Sequence, residues 1–281
     1  MVEPADLLLI TYNRKQYVQK TLNHLLNSSS NFRLYCWDNA SVDGTADIIA
    51  SIDDERVVKR HFNPENVNQV EPCLWFIETA ESDVIGKIDD DILLPEGWTD
   101  RFTPLVRQEP KFGMLGCWIF MPEDWNPTLA THNILEVSGH SIFRCTMIAG
   151  HSFVARREYL RRYSRKMSTG IPVDRVQMSI DGLISGCPLP LMYAHNMDDP
   201  RSRLNLTMQS ETISSDAGIT CRRLGFDSPQ AFADWIAEDA LIRQKIPFHQ
   251  QIMWHKITRD QSKIGRIKQR LLRPFVEPKV N

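Results

Sequence analysis

The chain lacks several features that would each have pointed to a particular class of protein. No apolar run approaches the roughly 18 residues that a membrane-spanning helix needs, and the best, residues 114–121, is far too short. CxxC spacing is absent. The six cysteines (Cys36, Cys73, Cys117, Cys145, Cys187, Cys221) are scattered through a chain large enough to fold unaided, which favours reduced thiols in the cytosol over a disulfide framework or a zinc site. Neither sign of charge dominates: 33 Lys and Arg stand against 35 Asp and Glu, a net charge of −2, which argues against a nucleic-acid partner. Glu3 and Asp6 precede the first apolar run, where a signal peptide would carry basic residues, so none is expected. There is no internal repeat and no low-complexity linker. What remains is 281 residues, 42% hydrophobic and 24% charged, enough for a sizeable core. One continuous domain with a C-terminal appendage is the economical reading.

Hydrophobic patterning in the first hundred residues alternates between two periods. Residues 7–10 form a short, purely apolar run, as a strand buried on both faces would. Val18, Leu22, Leu25 and Leu26 then recur on one helical face before a turn-prone stretch at 28–31. Further strands are expected at 32–37, 57–62 and 84–88, with helices around Ile48–Ile52 and between Cys73 and Thr79. Strands and helices alternating at this spacing imply an α/β fold, a mostly parallel sheet flanked by helices on both faces. The second half is less regular: strands are expected at 112–121, 141–148 and 191–194, a basic helix at 156–163, and helices after about Ser210, including 229–243.

In open parallel sheets the ligand sits beyond the carboxyl ends of the strands. Three expected strand ends carry polar clusters: Thr11-Tyr12-Asn13-Arg14, Asp38-Asn39 and Asp89-Asp90-Asp91. If the strands are neighbours, all three line one crevice. Alternation along an extended strand end points Asp89 and Asp91 together and Asp90 away. Two adjacent carboxylates repel unless a cation lies between them. Mg²⁺ or Mn²⁺ does this with one or two carboxylates and substrate phosphates in its shell. A solvated acidic turn is the plain alternative, but this triplet ends an apolar run and Pro95-Glu96-Gly97-Trp98 then starts a helix. Asp38 could accept a hydrogen bond from a nucleobase with Tyr12 stacked beside it. Alone, the Asp38-Asn39 pair reads equally as a turn or helix cap.

The segments Leu9-Ile10-Thr11-Tyr12-Asn13-Arg14, Trp37-Asp38-Asn39-Ala40-Ser41-Val42-Asp43-Gly44-Thr45 and Ile88-Asp89-Asp90-Asp91 together resemble the family 2 glycosyltransferases of GT-A fold, the triplet matching that family's DXD element. The resemblance is clear over residues 5–100, fainter over 101–200 and absent after about 210. It implies a GT-A domain over 1–205, with a nucleotide-binding half (1–100) and an acceptor half (101–205), followed by a helical extension over 206–281. It also implies inverting transfer from a nucleotide-sugar donor, a UDP-sugar by family precedent, to a hydroxyl on a glycan or lipid-linked acceptor in bacterial-type polysaccharide biosynthesis, with Mn²⁺ or Mg²⁺ as cofactor. Carried over by motif, Thr11, Tyr12, Arg14, Asp38 and Asn39 hold the nucleoside, Asp89 and Asp90 the donor, and Asp91 the metal. The segment Asn63-Pro64-Glu65-Asn66-Val67-Asn68 departs from the glycine-rich form usual before the DXD strand.

Single displacement at an anomeric carbon requires a general base for the acceptor hydroxyl. By resemblance Asp181, in Ser179-Ile180-Asp181-Gly182-Leu183, holds that place, with Asp174 its rival; the usual Glu-Asp pair is missing because Ile180 precedes Asp181. His195, directly after an expected strand and before Asp198-Asp199-Pro200-Arg201, reads as a further metal or phosphate contact, against the commoner structural histidine. Arg201 and Arg203 read as diphosphate contacts or as plain surface arginines. His151 reads as orienting the acceptor or as simply packed, and Trp118 and Trp125 as sugar platforms or as core. Two other classes stay open at this stage. A sugar-nucleotide pyrophosphorylase would need a glycine-rich loop after the first strand, and Thr11–Arg14 has no glycine; a scaffold domain would have kept the fold without the chemistry.

Between Lys256 and Arg273 lie seven Lys/Arg and a single Asp, with Ile264, Ile267, Leu271, Leu272 and Phe275 at helical spacing. Such a helix over 256–275 either touches an anionic membrane surface or packs its apolar stripe on the domain. The setting expected is cytoplasmic, peripheral to the inner face of a membrane.

Overall fold

The computed structural model describes residues 3–28, 30–145, 150–165, 170–206 and 225–259, with side chains as far as residue 253. Its first half runs β1 (Ala5–Thr11), α1 (Lys15–Asn27), β2 (Phe32–Asp38), α2 (Thr45–Ala50), β3 (Val57–Phe62), α3 (Val70–Thr79) and β4 (Val84–Asp89). The second half continues through β5 (Ile92–Leu93), α4 (Trp98–Gln108), β6 (Phe112–Gly116), α5 (Pro127–Ala130), β7 (Ile134–Val137), β8 (His140–Arg144), β9 (Ser152–Arg156), α6 (Arg157–Arg162), α7 (Arg175–Ile180), β10 (Ile184–Pro188) and β11 (His195–Asn196). Two helices close the described chain, α8 (Pro229–Lys245) and α9 (Phe248–Arg259).

Nine strands form one mixed sheet in the order β3-β2-β1-β4-β9-β6-β10-β8-β7, and β5 pairs with β11 in a separate ribbon. β3, β2, β1 and β4 are parallel, and every residue of β1 is buried, as its unbroken apolar run requires. β9 runs antiparallel between β4 and β6, and joins the two halves. Gly86 permits that junction: a Cβ there would lie 2.1 Å from the Phe153 carbonyl oxygen, so no larger residue fits opposite β9.

The core divides along the sheet. On one face Leu7, Leu9, Val18, Leu22, Leu25, Trp98 and Phe102 pack together; on the other Leu8, Tyr35, Trp37, Phe76, Ile77 and Phe153 do so. A third cluster sets Phe232, Ile236 and Ala240 of α8 against Trp118, Phe120, Phe143 and Cys187. The helix is pinned at its C-terminal end as well. Asn133, fully buried, donates from Nδ2 to the carbonyls of Arg243 (3.2 Å), Gln244 (3.3 Å) and Ile246 (2.8 Å), and its Oδ1 accepts from the Phe248 N–H (2.8 Å). Residues 229–245 are therefore packed against residues of the 101–205 stretch.

Several expectations change. The strand expected over 112–121 stops at Gly116, with Trp118 retaining only an isolated bridge to Tyr193. Trp118 is 2% exposed, a core residue, and packs edge-on against Phe143 (5.8 Å) and the partly buried Trp125 (5.2 Å). The five described cysteines are buried and free, while Cys221 lies outside the described residues. So does most of the basic 256–275 stretch, apart from its entry on α9.

Candidate active site

The sheet changes direction of growth at β1: the chain builds outward through β2 and β3, then returns to add β4 on the other side. Crevices open at such switch points, beyond the strand ends. Register places Thr11 opposite Asp38 and Ile10 opposite Asp89, so the three polar clusters stand at one edge. There a cavity of about 560 Å³ opens, lined by Thr11, Tyr12, Arg14, Asn39, Asp89, Asp90 and Asp91 among others.

The loop after β1 owes its shape to local bonds. Asn13 takes a left-handed conformation (φ 50°), its N–H donates to Ser41 Oγ (2.9 Å), and its Oδ1 accepts from the Val42 N–H (2.8 Å). The Lys15 N–H donates to Asp43 Oδ2 (2.8 Å), so the first turn of α1 is capped from the neighbouring loop. Thus the Asn39-to-Thr45 segment is a template that sets the course of the first loop.

Arg14 lands among carboxylates. Its Nη1 donates to Asp91 Oδ2 (2.8 Å) and lies 3.8 Å from Asp90 Oδ1, while Nη2 lies 3.2 Å from Asp198 Oδ2. Burial alone would lower the guanidinium's proton affinity, but the three acids raise it far above normal. Asp90 itself is pushed up to about 7, first by burial and then by Asp91 and Asp89, against the pull of Arg14. Contrary to the alternation expected of an extended strand, Asp90 faces the same cavity as its neighbours, because β4 ends at Asp89 and the next two residues form a turn.

Asp89 has different company. Lys87 Nζ and His151 Nδ1 both bond its carboxylate. Burial favours the neutral acid, yet these two groups hold its pKa well below the usual carboxylate range. Conversely, burial would lower the His151 pKa and Asp89 raises it. His151 lines the cavity, which answers the sequence-level choice between a packed and a site histidine.

Other expected residues stand elsewhere. Asp38 is 2% exposed and accepts from Thr11 Oγ1 (2.9 Å) and the Ser41 N–H (2.9 Å); it fastens β1 to the loop behind the cavity wall, and Asn39 takes the place at the wall. Asn39 in turn binds Asn66 Oδ1 (2.9 Å) and the Asn68 carbonyl (2.8 Å), which brings Asn66, Asn68 and Gln69 into the lining. His195 faces a separate cavity of about 60 Å³, with Nε2 2.7 Å from Ser202 Oγ, and burial lowers its pKa. Asp181 does not line the main cavity: the Tyr163 hydroxyl (2.7 Å) and Gln177 Nε2 (2.7 Å) hold it at the surface. Asp174 caps α7 by accepting from the Gln177 N–H (2.8 Å). Arg201 forks onto Asp124 and Asp199, and neither it nor Arg203 lines the cavity.

Sequence reasoning missed Asp198, Arg175, Trp235, Asp239 and Arg243, all in the lining. Asp198 was flagged only as a neighbour of His195. The other four were hidden by the irregular second half and by the assignment of α8 to an extension.

A fold and site of this kind define a GT-A glycosyltransferase, and the comparisons agree. The profile of the family described as Glycosyl transferase family 2 matches residues 6–167, and the chain belongs to that family. Among solved structures, a mannosyltransferase, PcManGT from Pyrobaculum calidifontis in complex with GDP-Man and Mn²⁺, is similar with a TM-score of 0.57 and 14% identity, over 98% of this chain and 82% of that one. TarS 1–349 of S. aureus in complex with UDP-GlcNAc is similar with a TM-score of 0.54 and 14% identity, over 97% of this chain and 86% of that one. A search of curated proteins finds no match to the sequence. At such identity the structural likeness speaks for the fold, while the family profile carries the enzyme class.

Proposed function

We propose that this glycosyltransferase moves a sugar from a nucleoside-diphosphate donor to a hydroxyl acceptor by a single inverting displacement, in glycan assembly. The observation that carries the reading is the convergence of Tyr12, Arg14, Asn39 and Asp89 to Asp91 on one cavity at the switch point of the sheet. Tyr12 is 39% exposed and lines the same cavity as Asn39, Asn66 and Asn68, a set suited to stacking on and bonding a nucleobase. Arg14 lines the cavity, bonds Asp91 (2.8 Å) and would pair with diphosphate oxygens.

Among the described residues no group of three or more His, Cys, Asp or Glu is arranged to hold a metal by itself. The turn still fits a cation that shares its shell with a substrate: Asp91 Oδ1 is buried without a hydrogen-bond partner and Asp91 lines the cavity. Asp91 would hold Mn²⁺ or Mg²⁺, which when bound would offset charge on the departing diphosphate. Asp89 is committed to Lys87 and His151, and so would orient His151, which lines the cavity, toward the donor.

UDP-sugars are the first donors to test and GDP-mannose the second, since the structural neighbours were solved with donors of these two kinds. Thermal shift across a panel of sugar nucleotides with Mn²⁺ identifies the donor, because a saturating ligand raises the melting temperature. Asp91→Ala should abolish both the nucleotide-dependent shift and Mn²⁺ stimulation of nucleoside diphosphate release; stimulation equal to that of the wild type would refute the assignment. The setting in this reading is the cytoplasm, with residues 256–275 touching the inner face of a membrane that carries a lipid-linked acceptor. Among the described residues no helix is long and apolar enough to cross a membrane.

A further inference from the structure

One wall of the cavity belongs to α8, far along the chain from the family motifs. Phe232, Trp235, Ile236, Asp239 and Arg243 all line it, at spacings that place them along one helical stripe. Most of the stripe is anchored. Phe232 and Ile236 belong to the third core cluster, and Arg243 lies over the Phe120 ring (5.5 Å).

Trp235 differs from its neighbours. Of the large apolar side chains that are well exposed among the described residues, only Tyr12 and Trp235 line this cavity. Trp235 is 45% exposed although its indole is held on one side, parallel to Phe232 (6.1 Å, 18°) and tilted against Phe226 (5.5 Å). A large ring fixed by aromatic neighbours and still open to a polar cavity offers a flat apolar surface at little entropic cost. One turn further on, Asp239 accepts from Arg243 Nε (2.9 Å) and Nη2 (2.7 Å); both bonds land on Oδ2, so Oδ1 has no partner among the described residues. A pyranose matches this combination, with a face of C–H groups for the indole and hydroxyls for the carboxylate. A lipid tail would leave Asp239 and Arg243 facing hydrocarbon.

We propose that the α8 stripe of Trp235, Asp239 and Arg243 is the acceptor subsite, and that it selects a carbohydrate acceptor by stacking a pyranose on Trp235 and bonding its hydroxyls through Asp239. The proposal rests on the transferase reading, with Tyr12 serving the donor base and Trp235 the acceptor sugar. Acceptor selectivity then belongs to residues beyond the family match, which ends at 167.

The test uses the full-length wild type, Trp235→Ala, Trp235→Phe and Asp239→Asn. Each is titrated with UDP and GDP in Mn²⁺, and then with a panel of methyl α- and β-pyranosides (gluco, galacto, manno and N-acetylglucosamine) read by saturation-transfer NMR. The wild type should show transfer to the C–H face of at least one pyranoside. Trp235→Ala should weaken that binding about tenfold or more, Trp235→Phe should recover part of it, and Asp239→Asn should weaken it with the stacking signal kept. Nucleotide affinity should stay within about twofold throughout. Loss of nucleotide binding in Trp235→Ala would reassign the indole to the donor, and pyranoside binding indifferent to all three variants would also overturn the proposal. If the wild type binds no nucleotide at all, the donor reading itself fails, which is a separate outcome.

Discussion

Arg14 is the residue on which the proposed donor site turns. Three carboxylates surround it, and its removal would leave Asp90, Asp91 and Asp198 repelling one another across a buried space. Arg14→Met is expected to lose donor affinity while binding Mn²⁺ in the absence of nucleotide more tightly than the wild type, because Asp91 is released; Mn²⁺ titration by electron paramagnetic resonance distinguishes the two. Asp181 gives the opposite expectation. Its carboxylate is engaged at the surface by Tyr163 and Gln177, so Asp181→Asn should keep turnover within about threefold, whereas removal of a general base costs about 10²-fold or more. A loss on the larger scale would restore Asp181 as the base. His151 supplies a pH signature. Asp89 raises its folded pKa above the unfolded value of about 6.5. The stabilisation is therefore complete below about 6.5 and is lost as pH climbs through the folded value. Wild-type melting temperature should fall across that window, and His151→Gln should flatten the profile.

At the scale of elements, the first half could be read from sequence because each strand there is a short apolar run ending in a polar cluster. The strands expected at 32–37, 57–62 and 84–88 match β2, β3 and β4 to within a residue. The acidic turn Asp89 to Asp91 also stands at the end of such a run, and we propose that it serves the donor. Asp38 and His195 stand off the main cavity, and the physical reason is general: a polar residue at a strand end serves a site or fastens a loop, and only the surrounding bonds decide which. β9 escaped because Ser152-Phe153-Val154-Ala155-Arg156 pairs with partners some 40 to 70 positions earlier in the chain, which local periodicity does not encode. The helical pattern of α8 was visible over 229–243, but its attachment depends on Asn133, more than a hundred residues away. Asn133→Ala strips four hydrogen bonds from a fully buried position and should cost about 2–4 kcal/mol. Denaturant unfolding measures that loss, and acceptor-dependent turnover should fall with it more than nucleotide binding does.

At the scale of the molecule, charge is segregated. The net charge is −2, yet the stretch from Lys256 to Arg273 is strongly basic, so the rest of the chain is acidic. If the stretch serves as a surface anchor, the full chain should sediment with vesicles rich in anionic phospholipid, not with neutral ones, and added salt should release it as the Debye length shortens. Sedimentation unaffected by salt or lipid charge would leave the basic residues as a solvated face.

The contacts that hold α8 in place also set an order on the birth of the enzyme. β1 to β4 and their carboxylates leave the ribosome early, and domains of this kind begin to fold as they emerge. The wall carrying Trp235 and Asp239 is fastened through Gln244, Ile246 and Phe248, which meet Asn126 and Asn133. Without α8 the cavity lacks that wall, and under the proposed function a departing sugar would meet water as readily as an acceptor. On that reading α8 and α9 would complete the barrier between transfer and wasteful hydrolysis.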